Sequence, residues 1–175
     1  MKTKIFILLS ISIFVAVSCN NSEKKAEKQK EEMRNELVRT ENKLYQKIDA
    51  DPEIAMELLD KYKEFVDKYP DDEQAAEYLF KAAEIGMNFK EPKQAITCLS
   101  RIEEKYPEFD KYATAIFLKA FIYENYFQNR GLARIYYERF ISEYPDHKLK
   151  PDAENALMFM GIDDEELIKI FEQLN

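Results

Sequence analysis

Three Tyr-Pro pairs punctuate the chain, Tyr69-Pro70, Tyr106-Pro107 and Tyr144-Pro145, at nearly equal spacings. Each closes an apolar-periodic run; the run from Ala133 to Pro145 reads as an amphipathic helix stopped by proline. Recurrence at a period of about 38 residues is the signature of a helical repeat array. The agreement reaches beyond the stops. Sliding the chain by one period places Ala82 on Ala120, Phe89 on Phe127, Ala95 on Ala133, Leu99 on Tyr137, Ile102 on Phe140 and Pro107 on Pro145, with no gap between Lys81 and Pro107. Counting back from Pro70 in the same way gives Leu58, Tyr62, Phe65 and Tyr69. A small residue early in the second helix of a unit lets two helices approach. Large apolar residues four and seven positions on stay on the same face and fill the space behind it.

These units resemble tetratricopeptide repeats, in which two antiparallel helices, each with a small residue, end at a proline. The resemblance makes Ala83 the small residue of helix A in the middle unit, Ala95 and Ala133 those of helix B, and Pro107 and Pro145 the terminal prolines. The chain departs from the pattern in having no Trp and only three Gly, in placing Phe121 opposite Ala83, and in a period above the usual ~34 residues. The longer period with Tyr-Pro endings, carried mostly by Tyr136 to His147, is similar to the repeats of two bacterial envelope families. One is the lipoprotein subunit of outer-membrane β-barrel assembly, and the other is the periplasmic repeat protein that coordinates the Tol-Pal system. The resemblance covers about residues 51–161. It implies an all-α, right-handed solenoid of antiparallel helix pairs, a tetratricopeptide-type fold, whose concave face is lined by the first helix of each pair.

Residues 1–18 read as an address. Lys2 and Lys4 precede an apolar run from Ile5 to Val17 broken only by Ser10 and Ser12. The run is too short to span a bilayer comfortably, which takes ~20 residues, and suits a secretory signal peptide. Its end, Ala16-Val17-Ser18-Cys19, resembles the bacterial lipoprotein signal. That resemblance implies that residues 1–18 are removed and that Cys19 is acylated, so the chain is held to a membrane by its N-terminal acyl chains. Two or more chains anchor stably at ~0.8 kcal/mol per buried CH₂. Asn20 after the cysteine favours, by family analogy, the outer membrane, with the folded part facing the periplasm or the cell surface. An ordinary secretory signal with a chance cysteine is the alternative. Residues 19–32 are then a lipidated polar tether. From Asn20 to Glu32 the only apolar residue is Ala26, too little to fold against anything. Fully extended, this stretch reaches about 45 Å.

Residues 33–50 hold one helix with a stripe of Met33, Leu37, Leu44 and Ile48, and the expectation is that it caps the array. Residues 51–175 are the repeat domain, which has room for three units. Helices are expected near 52–68, 72–88, 92–105, 110–127, 130–143, 151–160 and 164–174. Their start signals are Asp51-Pro52, Asp71 or Asp72, Pro92, Asp110, Pro151 and a capping box from Asp163 to Glu166, and Gly161 is a stop.

No catalytic constellation is legible. There is no Gly-rich phosphate loop, no His-Glu-x-x-His and no Gly-x-Ser-x-Gly. The single histidine, His147, lies in a turn and is expected to be solvated. Glu103 and Glu104 are expected on an exposed helix face. Cys98 follows Ala95 by three positions and should point inward as a small hydrophobe. The net charge is −8 and no basic stripe interrupts it, so nucleic-acid binding is not indicated. No catalytic residue, metal site, cofactor or small-molecule substrate is expected.

What remains is a surface for protein. The repeat pattern places Glu77, Phe80, Glu84 and Met87 toward the groove in the middle unit, and Ala115, Leu118, Ile122, Asn125 and Tyr126 in the next. From Tyr112 to Phe127 only Thr114, Lys119, Glu124 and Asn125 are neither apolar nor aromatic. Phe80, Met87, Leu118, Ile122 and Tyr126 are therefore the candidate partner-binding residues. Leu118, Ile122 and Tyr126 would form an apolar strip for a partner's segment. The alternative is that this row is ordinary core, shielded by the N-terminal helix or by the segment Leu167–Phe171. The functional expectation is a membrane-anchored envelope lipoprotein acting as a protein–protein scaffold. An accessory subunit of β-barrel assembly and a cell-wall or Tol-Pal-associated structural protein are the alternatives.

Overall fold

The structure, a computed structural model, describes the backbone of residues 3–46 and 50–161 and the side chains of 24–46 and 50–161. The Cys19 side chain, Ile48, and the helix expected over 164–174 with its opening at Asp163 lie outside the described residues. The chain divides into two compact units, Met1–Ala50 and Asp51–Asn175.

The first unit is one helix, α1 (Thr3–Tyr45). It runs through the polar stretch expected to be an unfolded spacer. Glu, Lys, Gln and Ala are strong helix formers, and no Gly or Pro stands before Pro52 to interrupt them. Local pairs lie along the helix: Lys28 is 3.7 Å from the exposed Glu32, and the buried Thr40 donates back to the Glu36 carbonyl at 3.0 Å. Among the described residues no helix is long and apolar enough to cross a membrane.

The second unit is an all-α helical repeat: α2 (Pro52–Lys68), α3 (Ala75–Asn88), α4 (Pro92–Lys105), α5 (Tyr112–Asn125), α6 (Arg130–Glu143) and α7 (Lys150–Met160). Each helix packs on the next. The short connections make neighbours antiparallel. The connections that carry a Tyr-Pro stop, after α2, α4 and α6, are equal in length; those joining α3 to α4 and α5 to α6 are shorter. The complete pairs among the described residues are therefore α3/α4 and α5/α6, with α2 as a second helix before them and α7 as a first helix after them.

The Tyr-Pro device has one geometry, used three times. Tyr69, Tyr106 and Tyr144 cap their helices at φ/ψ of −131/63, −129/58 and −130/61. A residue before proline is pushed out of the α region, and proline brings no N–H to continue the helix. Two tight turns follow each stop. The Asp72 N–H donates to Tyr69 O and Ala75 N–H to Asp72 O; residues 106, 109, 112 and 144, 147, 150 repeat the pattern. These turns consume the residues expected to open α3 and α5, so those helices start at Ala75 and Tyr112 rather than near 72 and 110. Asp72 serves the turn instead, its Oδ1 accepting the Gln74 N–H at 3.0 Å. His147 does the same work one stop later: its Nδ1 accepts the Leu149 N–H at 3.1 Å while its ring meets Phe140 edge-on. It is thus built into the turn rather than simply solvated. Asp51 caps α2 as expected, its Oδ1 accepting from Glu53 N–H, with Pro52 as first residue. Gly161 ends α7 in an ordinary right-handed conformation, so its freedom is not what stops the helix.

The turns inside the pairs also repeat. Lys90 and Gln128, one period apart, both take left-handed φ, 61° and 51°. At Lys90 the fold closes a Schellman motif, with Glu91 N–H on Gly86 O at 2.7 Å and Lys90 N–H on Met87 O at 3.4 Å.

The core is made of the residues that the repeat period aligns. Ala95 and Ala133, Leu99 and Tyr137, Ile102 and Phe140 are all buried to within 1 %. Each large side chain so buried contributes ~1.5–3 kcal/mol. At the small positions helices touch closely. A Cβ added at Gly86 would sit 3.0 Å from Ala95 N and 3.2 Å from Ala95 Cβ.

Candidate functional site

The face shared by α3 and α5 holds the residues singled out from the repeat pattern, and the structure sorts them. Phe80 is only 4 % exposed: its ring meets Phe109 at 5.9 Å, and Lys111 Nζ sits 4.9 Å over it. Lys111 also binds Glu77 at 2.8 Å, tying α5 to α3. Ala115 and Ile122 are fully buried. Met87 and Leu118 are half-buried, and Tyr126 is 37 % exposed with its hydroxyl on the Met87 carbonyl at 3.0 Å. Phe80 and Ile122 therefore belong to the core, while Met87, Leu118 and Tyr126 keep surface. The strip breaks at Ile122 because positions four apart drift about 40° round a helix, which turns Ile122 off the edge that Leu118 occupies. Tyr126 regains surface because it lies past the end of α5, as its cap. Glu84 is exposed beside this face. Partial dehydration raises its pKa, Lys111 opposes the rise and Glu77 adds to it.

Three of the four polar residues of α5, Lys119, Glu124 and Asn125, have a fixed partner. Lys119 is only 3 % exposed. Its Nζ donates to Glu103 of α4 and lies 4.6 Å over the Tyr136 ring of α6. Arg139 of α6 reaches the other oxygen of Glu103 and also binds Glu143 at 2.8 Å. Tyr112 adds a donor to the Glu103 carbonyl at 3.5 Å. Burial works against the Glu103 carboxylate, but the hydrogen bonds from Lys119 and Arg139 outweigh it and hold its pKa below the usual range. Burial likewise opposes the Lys119 charge, and Glu103 more than restores it. Glu103 is thus a junction of three helices and not a surface carboxylate. Glu124 accepts from the buried Tyr137 hydroxyl at 2.9 Å, and Asn125 donates to Phe121 O at 3.0 Å.

Sequence reasoning missed this junction, although a signal for part of it existed. The ungapped block also carries Arg101 onto Arg139, and Arg101 binds Asp67 of α2 at 2.8 Å. An arginine at the same repeat position therefore joins each second helix to a carboxylate on the second helix before it. Lys81 and Lys119 align in the same way, and Lys81 lies 5.8 Å over the Tyr62 ring.

Clefts open on the repeat among the described residues, and two of them bear on the site. One, of about 530 Å³, lies between successive Tyr-Pro turns and is floored by Ala76, Tyr106 and Phe109 under a rim that includes Asp71, Glu73, Glu108 and Asp110. The Tyr106 hydroxyl crosses there to Pro70 O at 2.8 Å. The other, of about 540 Å³, lies at the C-terminal ends of α5 and α7. Among the described residues no group of three or more His, Cys, Asp and Glu is placed to hold a metal ion. Cys98 is fully buried, and burial pushes its thiol up to about 11, which keeps it protonated and unreactive.

The tetratricopeptide repeat family model matches residues 114–147, which span most of α5, all of α6 and the third Tyr-Pro stop. No curated protein matches the chain.

Proposed function

We propose that this chain is a lipid-anchored protein of the bacterial cell envelope whose helical repeats hold a protein partner. Repeats of the matched type generally act as protein-binding modules rather than catalysts. One observation carries the reading: α3 and α5 leave Met87, Leu118 and Tyr126 partly out of the core on one face, with the Glu84 carboxyl beside them. Aromatic and Met surface next to an exposed charge is the composition of a recognition patch. The anchor rests on the sequence Ala16-Val17-Ser18-Cys19, and Asn20 supports the outer membrane as its location.

Intact-mass measurement of membrane-extracted protein tests the anchor. The expected result is loss of residues 1–18 and added acyl mass on Cys19, with Cys19→Ala moving to the soluble fraction; an unmodified Cys19 in membrane extracts rejects it. In-cell photocrosslinking from position 84, exposed beside Met87, Leu118 and Tyr126, tests the face. The double variant Leu118→Ser/Tyr126→Ser should melt close to wild type and lose the crosslinked partner. A variant that keeps every crosslink shows that the partner sits elsewhere.

A further inference from the structure

The cleft between the first two Tyr-Pro turns pairs a fixed aromatic floor with an anionic rim. The floor is held by its own contacts. The Tyr106 hydroxyl donates to Pro70 O at 2.8 Å, and the half-buried Phe109 ring meets Phe80 edge-on at 5.9 Å. The rim takes exposed carboxylates from both turns, Asp71 and Glu73 from one and Glu108 and Asp110 from the other. Asp72 is committed to its own turn, but among the described residues none of these four makes an ion pair or a side-chain hydrogen bond. The cation in the lining is Lys105. Arg101, whose charge reaches Tyr106, is held by Asp67 at 2.8 Å. One stop later His147 stands in place of Phe109 and Lys148 in place of Asp110. His147 there is taken up by the Leu149 N–H and the Phe140 ring. An anionic rim over a free aromatic floor therefore belongs to the first pair of turns and not to the second.

We propose that this cleft seats an arginine side chain of a partner protein, its guanidinium over Tyr106 and Phe109 and its N–H groups donated to the carboxylates of the two turns. Carboxylates gathered without a cation repel one another, and a bound cation relieves that repulsion. Arginine suits the place better than lysine. Its guanidinium is flat and weakly hydrated, so it lies on an aromatic face while its edge reaches carboxylates on both sides. The volume, about 530 Å³, is in the range of pockets that enclose a ligand of this size. The floor is already fixed, so little ordering is left to oppose binding. The cleft shares no residue with Met87, Leu118 and Tyr126, so either reading can fail without the other.

The probe is N-acetyl-arginine methylamide, an arginine with peptide bonds on both sides. Its citrulline analogue keeps the shape and lacks the charge. The full chain is labelled with ¹⁵N and titrated at low salt. The expected result is a saturable shift of the Asp71, Glu73, Glu108 and Asp110 amides, with those of His147 and Lys148 unmoved. The citrulline analogue should bind roughly tenfold more weakly, the worth of one charge-assisted hydrogen bond. Asp71→Asn/Asp110→Asn, at exposed positions, should melt like wild type and lose the shift. Glu64→Gln/Glu104→Gln removes the same charge from exposed positions outside the lining and should keep it. Absence of a saturable shift, equal binding of citrulline, or binding that survives Asp71→Asn/Asp110→Asn overturns the proposal. So does loss of binding in Glu64→Gln/Glu104→Gln, which would make net charge the cause. The same shifts with calcium chloride would mean an unselective cation site, and tighter binding of free L-arginine an amino-acid site; either result overturns the partner arginine.

Discussion

The pairs α3/α4 and α5/α6 share one repeat frame and differ in what closes them. In α3/α4 the contact is steric. Gly86 brings the backbones together against Ala95, and the buried residues behind it, Cys98, Leu99 and Ile102, are apolar. In α5/α6 the place of Gly86 is taken by Glu124, and that of Leu99 by Tyr137. A glutamate cannot enter the space a hydrogen leaves. The end of α5 is accordingly wider: Phe127 N–H reaches five positions back to Ile122 O, Asn129 N–H six back to Tyr123 O, and the connection is longer by one. Across this end the Glu124–Tyr137 hydrogen bond joins the two helices. The boundary with α4 is filled by Glu103, Lys119 and Arg139. A single frame therefore tolerates close approach and polar bridging as interchangeable ways of joining two helices, provided that every buried polar group is paired.

The sharpest break in this comparison comes at Glu103. Replacing it with Leu leaves Lys119 buried without its carboxylate, and urea denaturation should show a loss of about 3–5 kcal/mol. The double variant Glu103→Leu/Lys119→Leu should recover most of that loss. If it does not, the junction is not what holds α5/α6 to α4. The same junction has a pH signature. The Glu103 pKa is depressed in the fold, so its contribution is fully present above the ordinary carboxylate value of about 4.3 and is lost as pH falls through the lower folded value. Melting curves of wild type and Glu103→Gln should therefore converge as the medium is acidified below about pH 4.

Enlarging the small positions comes next in size. Gly86→Val drives a side chain into the backbone of Glu91 and Ala95, and Ala133→Phe overfills the contact between α5 and α6. Each should cost roughly 1–3 kcal/mol in a thermal melt, whereas Lys93→Phe at an exposed position should change little. Superimposable melts for Ala133→Phe and wild type would mean that Ala133 does not sit at a tight contact.

Tyr137→Phe removes the bridge that replaces close approach and should cost about 1 kcal/mol. The corresponding site in α3/α4 is already apolar, so Leu99→Met should cost less than about 1.5 kcal/mol as a volume-conserving exchange. The smallest effect tests what the two pairs share. Lys90 and Gln128 hold left-handed turns at a steric cost of roughly 1–2 kcal/mol that glycine avoids. After the greater chain entropy of glycine is subtracted, Lys90→Gly and Gln128→Gly should each raise the melting point slightly and by similar amounts. Unequal gains would show that the wider end of α5 has changed the turn as well.

Much of this fold was legible in the residue string because its causes are local. Proline ends a helix by its own covalent geometry. The apolar spacings that make one buried face are fixed by the pitch of the helix, so Ala95, Leu99 and Ile102 and their counterparts were readable as core. Helix starts were less legible where a turn competes for the same residues, as Asp72 and Tyr112 show. The candidate row was legible as a spacing, but its burial was not: Ile122 on α5 and Phe80 on α3 lie in the core, because positions four apart drift round a helix and the neighbouring elements decide which of them is covered.

By itself the sequence determined the repeat, its period, its three stops and the small-then-large pattern of the second helices, all of which follow from contacts within a few turns of chain. Only the tertiary structure decided what Glu103, Lys119, Arg139 and Glu124 do. Read along the chain they are ordinary polar residues on helices. Folded, Glu103 meets Lys119 and Arg139 from well down the chain where water is scarce, and a charge there must be paired with its opposite.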